Sequence, residues 1–363
     1  MNGIASPTTQ SVPRSPAVFS VAPMMDWTDR HCRFFHRQLS RHARLYTEMV
    51  TTGAVLHGDR MRLLGFDPGE QPVALQVGGS EPDDLARSAR IGEQFGYDEI
   101  NLNCGCPSER VQRGAFGACL MREPALVADG VKAMQDAVSL PVTVKHRIGL
   151  GREEPYAFVR DFVGALYSVG IRLFIVHARN AWLEGLSPKD NREVPPLRYA
   201  VVHQLKADFP DARFLLNGGL DSIDSALQHG AGLDGVMLGR SAYHDPWLLA
   251  EVDRRFYGDD TRSFDRADVV DVMAAYAQGC IAQGVPLRSI LRPMLGLYHG
   301  RPGARAWRRT LSDSTLLAGA DARLLISALR EVEKAGVRAT DQPSARPSGA
   351  DASAPIMSAP VLS

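Results

Sequence analysis

Between residues 19 and 240, short runs in which apolar side chains dominate or alternate with polar ones recur along the chain. Each is followed by a longer segment whose apolar residues return every three or four positions. The short runs lie at 19–24 (FSVAPM), 44–50 (RLYTEMV), 72–79 (PVALQVGG), 99–104 (EINLNC), 141–149 (PVTVKHRIG), 173–179 (LFIVHAR), 213–219 (RFLLNGG) and 235–240 (GVMLGR). The intervening segments, PDDLARSARIGEQFG and PALVADGVKAMQDAV among them, have helical spacing. Eight strands, each followed by a helix over about 220 residues, predict an α/β fold of the (β/α)8 TIM-barrel type. A doubly wound sheet would carry a G-x-G-x-x-G turn after its first strand, and the turn here is APMMDWTD.

Beyond about residue 250 the strand pattern stops. DRADVVDVMAAYAQGCIAQG, SILRPMLGLYHG and ARLLISALREVEKAG read as helices. Four parts are expected: 1–17, disordered from its Ser, Thr and Pro content; 18–250, the barrel with the chemistry; 251–338, a small all-helical domain; and 339–363, a disordered tail.

Composition narrows the classes. The chain has 363 residues, a hydrophobic fraction of 45%, and 41 basic against 41 acidic side chains, so any nucleic-acid surface must be local. Five cysteines, an odd and low count, argue against a disulfide framework and for a reducing compartment. With no apolar run of membrane-spanning length and no signal-peptide core, the protein is expected to be cytoplasmic, with no membrane partner.

Strand ends in a barrel share one mouth and can be read as one set. They are Pro23, Met24 and Met25; Glu48; Gln76; Asn103 and Cys106; Lys145 and Arg147; His177 and Arg179; Asn217, Gly218 and Gly219; and Gly239 and Arg240. Any one of these polar groups could be satisfied by a neighbour, but the whole set is costly to bury without a ligand. NGG after the seventh strand and GR after the eighth offer open backbone N–H groups and a guanidinium where barrels commonly bind phosphate. Lys145 can offset charge on a reduced ring and Gln76 can bond its edge, which suits FMN better than pyridoxal phosphate. Cys104 and Cys106 lie where a strand becomes a loop. A metal is not expected there, because Cys32, Cys119 and Cys280 are scattered singly. A thiol at this place is a nucleophile if its pKa is lowered, or a proton donor if it is not.

Several motifs spell a family: APMMDWTD at 22–29, NLNCGCPS at 101–108, GAFGACLM at 114–121, PVTVKHRIG, HARNAWLEGLSPKDNR at 177–192, NGG at 217–219 and DGVMLGR at 234–240. Through these the chain from about 20 to 335 resembles the tRNA-dihydrouridine synthases, FMN enzymes that reduce a uridine of tRNA with NADPH. HARNAWLEGLSPKDNREVPPL and RPMLGLYHGRPGARAWRRTLS resemble the A-type subfamily, which acts on D-loop uridines 20 and 20a.

The resemblance implies that FMN is held by Pro23, Met24, Met25, Gln76, Lys145, His177, Asn217, Gly218, Gly219, Gly239 and Arg240. It implies that Cys106, before Pro107, is the catalytic thiol. Cys104 departs from the pattern, since a small apolar residue is usual there. Reduction of the uracil 5,6-bond needs a hydride at C6 and a proton at C5. An ordinary thiol, with a pKa of about 8.5, is mostly protonated at pH 7 and can give the proton. Asn103 is placed to bond the uracil.

Between Arg288 and Leu311 stand six arginines, an exposed-looking Trp307 and no acid, a local basic footprint. The resemblance makes Lys189, Arg192, Arg305 and Arg308 the tRNA-orienting set. The expected partners are the tRNA D-loop and NADPH, or NADH in its place, with the chain acting as a monomer. Two rivals are a flavin barrel acting on a free pyrimidine and a non-catalytic tRNA-binding relative.

Overall fold

The computed structural model describes residues 18–340. The expected disordered segments at 1–17 and 341–363 lie outside the described residues. Residues 339 and 340 end the last helix, Arg323–Thr340.

All strand pairings are parallel, and they run β2-β1-β9-β8-β7-β6-β5-β4-β3, with a β2–β4 pairing that closes the sheet into a barrel. The strands are β1 (Val18–Val21), β2 (Arg44–Tyr46), β3 (Val50–Thr51), β4 (Val73–Gly78), β5 (Glu99–Cys104), β6 (Val142–Arg147), β7 (Leu173–His177), β8 (Arg213–Asn217) and β9 (Gly235–Leu238). Nine stand where eight are expected because the run 44–50 is broken in two. At the break the Thr47 hydroxyl, not a main-chain carbonyl, accepts the Gln76 N–H at 3.0 Å, which interrupts the ladder and turns Glu48 toward the mouth.

Alternation decides which side chains enter the barrel. On β5, Ile100, Leu102 and Cys104 face outward into the core shared with the helices. Glu99, Asn101 and Asn103 face inward. Inside, Ala22, Tyr46, Ala74, Ile175, Leu215 and Met237 form a small apolar plug. The β4–β6 side is polar, carrying Gln76, the three β5 residues, Thr143 and Lys145.

Residues Val252–Tyr257, placed by sequence with the helical part, pack on the barrel: the Tyr257 hydroxyl accepts the Phe19 N–H at 3.0 Å. The next helix, Arg266–Ala282, starts on a capping box in which Asp265 accepts from Ala267 and Asp268, and Asp268 accepts from Asp265. Helix Ala304–Ser312 carries the arginines. Its Trp307 is fully buried, not exposed as its arginine-rich surroundings suggest. Positions 307 and 311 share one helix face, while 305, 308 and 309 share the other. Burial of the indole stabilises the fold by about 2–3 kcal/mol, and its Nε1–H donates to the Met294 carbonyl at 2.8 Å. No described helix is long and apolar enough to cross a membrane.

Candidate active site

The C-terminal ends of the strands open into a cleft of about 1690 Å³. Of the residues expected to carry chemistry, Pro23, Met24, Met25, Gln76, Asn103, Cys106, Lys145, His177, Arg192, Asn217, Gly218, Gly219, Gly239 and Arg240 line it. Lys189, Arg305 and Arg308 do not. Lys189 is exposed on the rim loop next to Pro188, which does line the cleft. Arg305 and Arg308 are exposed on helix Ala304–Ser312. One wall of the cleft comes from residues 283–286 and Ser289, in the loop after helix Arg266–Ala282 and the turn that follows it.

The two cysteines of the C-x-C run are separated by strand parity. Cys104, the last residue of β5, faces outward and is fully buried, and burial pushes its thiol well above the ordinary thiol range. Cys106 is half-buried at the mouth, with Sγ 3.7 Å from the Ser108 hydroxyl. Its loop is held at both ends: the Asn103 Oδ1 accepts from Gly105 N at 3.1 Å and Cys106 N at 3.0 Å, and the Cys106 carbonyl accepts from Ala118 N at 2.9 Å. Gly117, at φ +77°, is required behind it, since a Cβ there would lie 2.7 Å from the Cys106 carbonyl oxygen.

Beside the thiol, β6 and the segments after β7 and β9 present cations to the cleft: Lys145, Arg147, Arg192 and Arg240. Lys145 donates to the Asn217 Oδ1 at 2.9 Å, and burial, with help from Arg147, lowers its pKa to about 7. Arg147 donates to the carbonyls of Gly105, Asn180 and Asn191, so it joins the cysteine loop to the rim; burial lowers its pKa to about 9. The His177 imidazole has no hydrogen-bond partner among the described residues. Burial first, then Arg147, Lys145, Arg179 and Arg192, holds it far below the usual imidazole range, so it is neutral at pH 7. Arg240 is paired with Glu193.

Gly218 and Gly219 are left-handed, at φ +109° and +70°. A Cβ on Gly218 would lie 2.6 Å from the His177 ring, and the Tyr199 hydroxyl holds the Gly218 carbonyl at 2.8 Å. The result is a side-chain-free backbone floor beside a group of guanidinium and ammonium groups, a setting that fits an anionic ligand.

Sequence reasoning placed Gln76 and Asn103 but not what they touch. Gln76 Nε2 donates to Asn101 Oδ1 at 2.7 Å and Gln76 Oε1 accepts from Asn103 Nδ2 at 2.8 Å. Each amide keeps one N–H for a ligand. The structural part of Arg147 also went unread, although its place at a strand end marked it.

The family described as "Dihydrouridine synthase (Dus)" matches residues 20–333. A tRNA-dihydrouridine(20/20a) synthase of Salmonella typhi is 55% identical over 325 residues, 89% of this chain and 98% of that protein. One of the same description from Pseudomonas aeruginosa is 58% identical over 294 residues, 81% of this chain and 89% of that protein. Among solved structures, a 2-naphthoyl-CoA reductase in complex with 2-naphthoyl-CoA shares the fold, with a TM-score of 0.50 and 11% identity, covering 64% of this chain and 49% of that one.

Proposed function

The chain belongs to the dihydrouridine synthase family, and from that premise we propose that it acts with FMN and NADPH on uridines 20 and 20a of the tRNA D-loop. It is an oxidoreductase that reduces uridine in tRNA, as its family and the relatives aligned over most of its length do by name. The cofactor, the electron donor and the roles of single residues are our own reading. The observation that carries it is the pairing of a mouth-facing Cys106 with a glycine floor and cations across one cleft.

FMN, when bound and reduced by NADPH or NADH, supplies the hydride for C6 of the uracil. Gly218, Gly219, Gly239 and Arg240 would hold its phosphate through backbone N–H groups and a guanidinium. Pro23, Met24 and Met25 would cover the ring, Gln76 would bond its edge, and Lys145, with Asn217 and neutral His177, would face its electron-rich side. Cys106 gives its proton to C5, and the remaining N–H of Asn103 orients the base. The base must leave the tRNA stack to enter a cleft of this depth. Lys189, Arg192, Arg305 and Arg308 bind the tRNA backbone while it does so, with the helical segment as an RNA-binding part of a monomer in the cytoplasm.

A free pyrimidine would need no such surface, and all six arginines from Arg288 to Arg309 are exposed. A non-catalytic relative would have no use for the thiol and the cations together.

The purified protein is expected to be yellow and to release FMN on denaturation. With NADPH and an unmodified tRNA transcript it is expected to place dihydrouridine at positions 20 and 20a, mapped by reverse transcription after alkaline cleavage. Colourless protein that takes up no FMN would overturn the cofactor, and modification elsewhere in the tRNA would overturn the positions.

Lys145 makes the cofactor's affinity depend on pH. Its folded, ligand-free pKa is about 7, and hydrogen bonding to an acceptor atom of the ring would raise that value, so above pH 7 binding must take up a proton. The FMN dissociation constant is expected to climb by up to about tenfold per pH unit above 7. Lys145→Met is expected to bind more weakly and with a flatter profile, read by quenching of flavin fluorescence between pH 6 and 9. Equal slopes would mean that Lys145 does not meet the ligand.

A further inference from the structure

A continuous line of side-chain hydrogen bonds crosses the barrel interior from the end opposite the mouth to the Cys106 loop. It begins at Glu99, the first residue of β5, whose side chain is 1% exposed. Three donors converge on this carboxylate: Arg44 Nη1 at 2.6 Å, the Tyr46 hydroxyl at 2.6 Å and the Thr143 hydroxyl at 2.6 Å. Thr143 Oγ1 in turn accepts from Asn101 Nδ2 at 2.8 Å, Asn101 Oδ1 from Gln76 Nε2 at 2.7 Å, and Gln76 Oε1 from Asn103 Nδ2 at 2.8 Å. Asn103 Oδ1 receives the N–H groups of Gly105 and Cys106.

The chemistry of the two ends makes this order unique. The carboxylate, met by a guanidinium and two hydroxyls, only accepts, so Thr143 must donate to it and keeps a lone pair for Asn101. Asn101 must therefore turn its NH₂ toward Thr143 and its oxygen toward Gln76, and the same constraint passes through Gln76 to Asn103. At the far end, the backbone N–H groups of residues 105 and 106 only donate, and they demand the Asn103 oxygen. Both ends require the same orientation of all three amides.

We propose that Glu99 is a positioning residue: through Thr143 and Asn101 it fixes which atom of Gln76 and of Asn103 faces the mouth, and so holds the Cys106 loop. This rests on the reading of Cys106 as the acid at the mouth.

Changing Glu99 to Gln puts an NH₂ against three donors. Arg44 only donates and so takes the amide oxygen, which leaves the new NH₂ facing Thr143 and Tyr46. Thr143 is then left with an unplaced proton unless Asn101, Gln76 and Asn103 reverse and release Cys106. Thr143→Val cuts the line while leaving the Arg44–Glu99 pair intact, and Thr143→Ser keeps the hydroxyl.

Two quantities read the result in the full-length protein as purified. One is the rate at which iodoacetamide alkylates Cys106, followed on its own peptide by mass spectrometry. The other is flavin content with the visible absorption spectrum. Glu99→Gln and Thr143→Val are expected to alkylate Cys106 faster than wild type by at least about threefold, the scale of one lost buried hydrogen bond or less. They are also expected to hold less flavin with a shifted band, while Thr143→Ser matches wild type. If Glu99→Gln does not fold, Thr143→Val decides alone. Wild-type rate and spectrum in Thr143→Val would overturn the proposal, and so would equal defects in Thr143→Ser and Thr143→Val. Wild-type protein without flavin would sink the flavin reading but not this one, because alkylation of Cys106 still reads the line.

Discussion

Cys106→Ala is expected to slow uridine reduction by roughly 100- to 10,000-fold, the usual span for a lost general acid. NADPH should still bleach the flavin at the wild-type rate, because the thiol is needed only after the hydride has a place to go. Stopped-flow absorbance at the flavin band separates the two half-reactions: the reductive one with NADPH alone, the oxidative one after tRNA is added. Cys104→Ala is the matched control. Cys104 is sealed in the outer core and its thiol is pushed up by burial, so its loss should leave both half-reactions near wild type. The cost should appear instead as about 1–2 kcal/mol of stability in a denaturant melt. Oxidative half-reactions slowed equally in the two variants would remove Cys106 from the role of acid.

Reversing Arg305 and Arg308 to Glu is expected to raise the tRNA dissociation constant on the order of 10- to 100-fold, with FMN content and NADPH oxidation unchanged. The two guanidiniums stand on the exposed face of a helix whose other face is pinned by Trp307 and Leu311, so they are presented without being needed for packing. Each one that meets a phosphate releases condensed counterions. Losing both should flatten the slope of log affinity against log salt by roughly one to two units. Filter binding over a salt series measures it. An unchanged slope would leave these arginines facing solvent and move the search to Lys189 and Arg192.

Much of this was legible in the order of residues, and the exceptions have physical causes. Strand ends in a barrel converge whatever the loops do, so the period-two runs were enough to bring Gln76, Lys145, His177 and Asn217 to one mouth. The break in the run 44–50 was not readable, because it depends on one hydroxyl, that of Thr47, replacing a carbonyl as acceptor for a strand 29 residues further along. The choice between Cys104 and Cys106 stayed open on chemistry alone. Parity already held the answer: once Asn103 points in, Cys104 must point out. Trp307 was misjudged from its charged neighbours, although a 3.6-residue period puts it with Leu311 and opposite the arginines. The Glu99 line was hidden by its own regularity, since inward polar residues on β5 and β6 look separately satisfiable until their partners are known.

The cations around His177 also bear on how long the protein survives in a cell. Lys145, Arg147, Arg179 and Arg192 are gathered there, and Glu193 nearby is spent on Arg240. A chain folded without its anion keeps this repulsion unrelieved and opens more often, which exposes it to proteases in proportion to the open population. Occupancy by a tight anionic ligand at a hundred times its dissociation constant adds about 2.7 kcal/mol to the folded state, roughly a hundredfold fewer open molecules. Protein stripped of flavin is therefore expected to be cut faster than loaded protein in a limited-proteolysis time course, and added flavin to slow the cutting.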